Sequence, residues 1–168
     1  PNNAQLGDTL VLTKPLGMRL AINTMQWLKT DKEKREKMLK VLPESTIIDT
    51  FYRAETYMAT LNLVGAQLLR KYKSNACTDV TGFGVLGHAN YLAQAQKNSV
   101  KFIIDSLPVL KDIHRLETEK VTSYKLFDGY AAETSGGLLV ALNKDNVDGF
   151  MREMHEAGLD AWKIGKVV

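Results

Sequence analysis

Residues 74 to 89, Ser-Asn-Ala-Cys-Thr-Asp-Val-Thr-Gly-Phe-Gly-Val-Leu-Gly-His-Ala, crowd glycines, a carboxylate and threonine hydroxyls between a strand-like run and a helix-like run. Gly82, Gly84 and Gly87 carry no Cβ, so backbone N–H groups there can approach a ligand closely. A helix beginning near Val85 would aim the positive end of its dipole at an anion. Asp79 sets a negative charge in the same loop. An anion-binding backbone beside a carboxylate makes chemical sense when a divalent cation lies between them, as Mg²⁺ does in sites for nucleotide phosphates.

The glycine spacing also satisfies G-x-G-x-x-G, with Asp105 about 20 residues on, which raises a dinucleotide-binding alternative. The preceding strand argues against it. A first Rossmann strand is central and apolar on both faces, whereas Asn75, Thr78, Asp79 and Thr81 make this one polar. No G-x-x-x-x-G-K-[ST] loop is present, so an ordinary P-loop is excluded. His88, His114 and His155 lack metal-ligand spacing and read as surface or capping residues. Cys77 has no histidine near it in sequence to activate it and reads as a small buried hydrophobe. Lys14, between a strand and Pro15, fits a phosphate contact and a solvated strand-end charge equally well. Glu133, in the second glycine turn Glu133-Thr134-Ser135-Gly136-Gly137, is similarly open.

The elements that must position these residues follow from periodicity. Gly7 to Thr13 reads as a turn and a short strand, and Leu16 to Leu28 as a helix started by Pro15. Lys29 to Lys40 carries six basic and three acidic residues with only Met38 and Leu39 apolar, which predicts a solvated helix or loop. Phe51, Ala54, Met58, Leu61, Gly65, Leu68 and Tyr72 form a helical stripe after Pro43, predicting one long helix lying on a sheet. A strand over 75–81, the glycine turn, a helix over 85–96 and a strand over 100–105 follow. Leu107 to Leu110 reads as the start of a helix capped by Asp105 or Ser106, and Tyr124 to Tyr130 as another short helix. Leu138 to Leu142 is a fully apolar strand, and a helix over 145–157 ended by Gly158 and a strand over 161–168 close the sequence. The fold class expected is α+β, a mixed β-sheet with flanking helices.

The sequence of 168 residues suits a single domain over 1–168 with a full core. It opens on Pro1 rather than Met and its pattern stops in mid-strand at Lys166-Val167-Val168, so a piece of a longer protein is expected. A net charge of +3 is too mild for a nucleic-acid partner. A lone cysteine excludes a disulfide framework and a Cys-based zinc site and suits a reducing, cytoplasmic setting. No apolar run approaches the roughly 20 residues of a membrane span, so no membrane partner is expected.

Taken together, Leu12-Thr13-Lys14-Pro15-Leu16-Gly17, Thr78-Asp79-Val80-Thr81-Gly82-Phe83-Gly84-Val85-Leu86-Gly87-His88 and Glu133-Thr134-Ser135-Gly136-Gly137-Leu138-Leu139 resemble the C-terminal half of selenophosphate synthetase, from Gly7 to the closing Ile164-Gly165 strand. Met18-Arg19 depart from the Thr-Gly of bacterial members and look more like a eukaryotic one. The resemblance implies the C-terminal domain of the aminoimidazole-ribonucleotide-synthetase-like fold. It also implies an enzyme that makes selenophosphate, AMP and phosphate from ATP, selenide and water. Mg²⁺ and ATP are the implied cofactor and substrate, and the protein's own N-terminal domain and a homodimer the implied partners. The catalytic Cys or selenocysteine and its Lys belong to that N-terminal domain, so no catalytic residue is expected here and the piece should be inactive alone. Asp79 matches the family aspartate that reaches the metal ions on the triphosphate, and Thr13, Lys14, Thr81, Gly82 and Gly84 would line the same cleft. Two alternatives stay open: another ATP-dependent enzyme of the superfamily, acting on an aminoimidazole ribonucleotide, a thiamine phosphate or a carbamoyl-type substrate, and a non-catalytic partner-binding domain built on the Lys29 to Lys40 segment.

Overall fold

A computed structural model describes residues 2–168. Strands β1 (Thr9–Leu12), β2 (Ala76–Asp79), β3 (Phe102–Ile104), β4 (Leu138–Leu142) and β5 (Trp162–Val167) form one sheet in the order β2-β4-β1-β5-β3. Every ladder between these strands is antiparallel, and the expected mixing is confined to a single parallel bridge between Leu16 and Val109. β1 and β4 sit inside the sheet, and β4 is buried along its whole length, as a run of Leu, Val and Ala requires. β2 lies at an edge with only one partner strand, so its polar residues keep contact with water.

Side chains alternate across the sheet and divide the core in two. Leu10, Leu12, Ala76, Leu139 and Ala141 face the larger cluster, covered by α1 (Met18–Thr30), α3 (Glu44–Ala59) and α5 (Gly84–Gln94). Val11, Cys77, Leu138, Val140 and Leu142 face the smaller one, covered by α4 (Leu63–Lys71) and α7 (Lys144–Glu156), with Phe150 and Met154 at its centre. Cys77 is a partly buried member of that cluster, and burial pushes its thiol up to about 11, which suits an inert packing residue.

Several expectations need correction. The long stripe from Phe51 to Tyr72 is two helices, α3 and α4, broken at Thr60-Leu61-Asn62, and Leu61, expected in the buried stripe, is 75% exposed. The halves part company: α3 packs along α1, and α4 against α7. Pro15 precedes α1 rather than opening it, and the N-cap is Gly17 at φ 95°. Leu107 to Leu110 is extended and bridges Leu16; the helix there is α6 (His114–Thr118). Residues 126–129 form a turn, not a helix. The charged segment folds as α2 (Lys32–Leu39), capped by Asp31 and solvated except at Met38, which is fully buried. Gly158 closes α7 as expected, with Leu159 N–H reaching back to Met154 O at 2.9 Å.

Candidate functional site

The segments 12–18, 78–88 and 133–139, far apart in sequence, meet at one end of the sheet. β1 and β2 both finish there and β4 begins between them, so the 133–137 turn is threaded between the two strand ends. Thr13 N–H donates to Leu138 O at 3.1 Å and Leu138 N–H returns a bond to Thr13 Oγ1 at 2.8 Å. On the other side Val80 N–H donates to Gly137 O and Glu133 N–H to Thr81 O, each at 2.9 Å. A Cβ on Gly136 would stand 2.0 Å from Val80 O, and one on Gly137 2.4 Å from the Lys14 nitrogen. Only glycine lets three backbones run this close.

Buried charges pin the turn from within. The Glu133 carboxylate, 4% exposed, accepts from Gly17 N–H at 2.5 Å and Met18 N–H at 3.1 Å, so it caps α1 across the fold. Burial pushes its pKa up to about 7 against the opposing pull of the Gly17, Arg19 and Met18 N–H groups. The Lys14 ammonium donates to Ser135 O at 2.9 Å and to Thr60 O at 2.7 Å, where α3 breaks. Burial lowers its pKa. Asn62 Nδ2 adds a bond to Gly136 O at 3.0 Å. Lys14 is therefore not a solvated strand-end charge: it is buried, and two of its three donors are taken by carbonyls inside the fold.

The second glycine segment faces outward. Asp79 ends β2 exposed, and among the described residues its carboxylate has no ion pair or hydrogen bond. Thr81 N–H donates to His88 Nε2 at 3.0 Å, which places the ring proton on Nδ1 and ties the turn to α5. His88 thus braces the preceding turn from within α5, whose N-terminus has no side-chain cap. Gly82 is exposed, and a Cβ added to it would meet nothing within 4 Å. Gly84 is different: at φ +70° it is buried, and a Cβ would meet Gly129 O at 2.6 Å. Phe83 is 63% exposed, its ring 5.6 Å from those of His88 and Tyr91.

Of the residues expected along a nucleotide cleft, Asp79, Thr81 and Gly82 share one accessible surface, while Thr13, Lys14 and Gly84 lie behind it holding the frame. Sequence reasoning left Glu133 without a role. Its signal is a carboxylate followed within a few residues by the buried run from Gly136 to Leu142, which leaves it little access to water. No group of three or more His, Cys, Asp or Glu side chains is clustered for metal binding among the described residues, so Asp79 does not form a complete cation site with them. A free, exposed carboxylate at the lip of a glycine turn does fit a hard cation that other oxygen ligands share.

An antiparallel sheet with helices on both faces is the architecture of a known class. The structure of AaThiL complexed with AMPPCP and TMP superposes with a TM-score of 0.66 over 99% of this chain and 46% of that one, at 22% identity. Escherichia coli HypE superposes with a TM-score of 0.64 over 99% of this chain and 45% of that one, at 19% identity. At such identities the likeness is one of fold. Residues 5–168 match the family model of the AIR synthase related protein C-terminal domain, and the chain belongs to that family.

Within it, the chain is 44% identical to the selenide, water dikinase of Dictyostelium discoideum over 169 residues, all of this chain and 46% of that protein. It is 43% identical to that of Trypanosoma brucei, over all of this chain and 44% of that protein. Against selenide, water dikinase 2 of Homo sapiens it is 38% identical over 99% of this chain and 38% of that protein. The chain spans less than half the length of these relatives. No helix among the described residues is long and apolar enough to cross a membrane.

Proposed function

We propose that this chain is the C-terminal part of a selenide, water dikinase and serves the synthesis of selenophosphate, AMP and phosphate from ATP, selenide and water. The observation that carries the reading is identity of 38 to 45% to selenide, water dikinases of several eukaryotes along nearly the whole chain. The convergence of 12–18, 78–88 and 133–139 at one sheet end supports it. Asp79 is the metal ligand this chain contributes, and Thr81 and Gly82 shape the adjoining wall. Mg²⁺ bound there would neutralise charge that develops on the phosphoryl oxygens.

The chain's own residues have a positional task. The antiparallel pairing of β2 with β4 fixes where Asp79 ends, His88 fixes Thr81, and Gly82 leaves the lip free of side chain. Thr13, Lys14 and Gly84 act one layer back by holding these backbones in place. With a single acidic ligand the chain cannot complete a cation site by itself. A preceding domain supplies the remaining ligands and the reactive Cys or selenocysteine, the assembled enzyme is a homodimer in the cytoplasm, and the chain alone is inactive.

The test is Asp79→Asn in the full-length protein, read as selenide-dependent AMP formation. A loss of at least about 100-fold with the melting temperature unchanged is expected for removal of a ligand that acts in the transition state. Undiminished activity in that variant would remove Asp79 from the metal site. Offering an aminoimidazole ribonucleotide or thiamine phosphate in place of selenide tests the substrate, and turnover of either would redirect the assignment within the superfamily.

A further inference from the structure

Behind the 133–137 turn lies a cavity of about 300 Å³ that does not include Asp79, Thr81 or Gly82. It sits between the α3–α4 break and the turn after α7. Leu61, Met154 and Leu159 supply much of its apolar lining, and Lys14, Arg53 and Asp160 its charges.

We propose that this cavity binds a small organic carboxylate with an apolar body, and that the Lys14 ammonium is its counter-charge. The site goes beyond the dikinase reading and does not depend on it.

Lys14 is 5% exposed. An ammonium has three hydrogens, and the Thr60 and Ser135 carbonyls take two. Among the described residues no carboxylate forms an ion pair with it, and burial alone accounts for its lowered pKa. A buried cation without an anionic partner is costly, and Lys14 is one of the residues that line the cavity. A ligand carboxylate there completes the hydrogen bonding and the charge balance together, and raises the affinity of Lys14 for its proton.

The rest of the lining sets the ligand class. Arg53 is already paired with Asp49 at 3.2 Å and Asp112 at 3.7 Å, so its charge is balanced and Lys14 is the cation of the lining that lacks a carboxylate partner. Asp160 faces the same space, its carboxylate accepting from the Tyr57 hydroxyl at 2.5 Å. Burial, and then this bond, push Tyr57 up to about 12, so it stays a donor at any physiological pH. Asp160 opposes a phosphate dianion more strongly than a monoanion. The apolar lining suits a hydrocarbon body of a size that about 300 Å³ holds.

The experiment is saturation-transfer NMR on the full-length protein with benzoate as probe. Saturable binding with a Kd of about 1 mM or tighter is expected, in line with the affinity a fragment of this size reaches. Benzyl alcohol, the same ring without the charge, should bind at least tenfold more weakly, and Lys14→Met should cost benzoate at least tenfold. Thr56→Phe, placed at the exposed rim of the cavity, fills it without touching Lys14 and should abolish binding even if Lys14→Met does not fold. Absence of saturable benzoate binding, or binding undiminished in Thr56→Phe, overturns the site. Inorganic phosphate displacing benzoate as well as benzoate displaces itself overturns the ligand class.

Discussion

The two glycine turns are built from the same residue type and do opposite work. Around Gly136 and Gly137 the missing side chains let the 133–137 backbone wedge between Val80 and Lys14, with projected Cβ contacts of 2.0 and 2.4 Å. At Gly82 nothing lies within 4 Å, and the missing side chain keeps a surface open beside an exposed carboxylate. The inner turn is held by bonds from Lys14, Asn62 and Val80 to three successive carbonyls; the outer turn is tied through Thr81, which donates to His88 and accepts from the Gly84 and Glu133 N–H groups. Rigidity is concentrated one layer behind the surface where a ligand would arrive, an arrangement that fixes a site without filling it.

The sharpest way to break that contrast is Gly136→Ala. Its Cβ meets backbone rather than a flexible side-chain end, so a loss of about 4 kcal/mol or failure to fold is expected, measured by chemical denaturation. Glu133 should give the next largest effect, through pH. Its folded pKa of about 7 lies above its usual 4.5, so the folded state binds more protons in that window. Its contribution is fully present below pH 4.5 and is lost as pH rises through 7, by about 3 kcal/mol for a shift of this size. In Glu133→Gln this component should vanish, so the difference in unfolding free energy between the two proteins should change by that amount between about pH 4.5 and about pH 8; a constant difference would show the carboxyl titrates normally. Asn62→Ala removes one bond to the inner turn and should cost about 1 kcal/mol. Gly82→Ala has room for its methyl and lacks a positive φ. Stability should move by less than about 0.5 kcal/mol, so that a loss of activity there reports on the ligand side of the turn.

The polar run 75–81 was legible as a strand, and its polarity, which argues against a central Rossmann strand, is accounted for by its place at the edge of the sheet. The break at Thr60-Leu61-Asn62 was not legible, because the apolar stripe keeps its phase through it and periodicity cannot tell one helix from two that leave in different directions. Leu107 to Leu110 carries helix-start chemistry in Pro108 yet is extended, since pairing with Leu16 overrides local preference. That Asp79, Thr81 and Gly82 lie together in an accessible loop was legible, because neighbours in a polar, glycine-rich stretch need no distant partner to stay near the surface. Lys14 and Glu133 were not, because their roles depend on partners 46 to 121 residues away.

The sequence by itself determined the family and singled out the three segments that meet at one end of the sheet, because residue types in fixed order are local information. Only the tertiary structure decided that Thr13, Lys14 and Gly84 stand behind the surface and Asp79 upon it. That division depends on antiparallel pairing of strands distant in the chain, which brings two strand ends and one strand beginning to a common edge and leaves room between them for glycine alone.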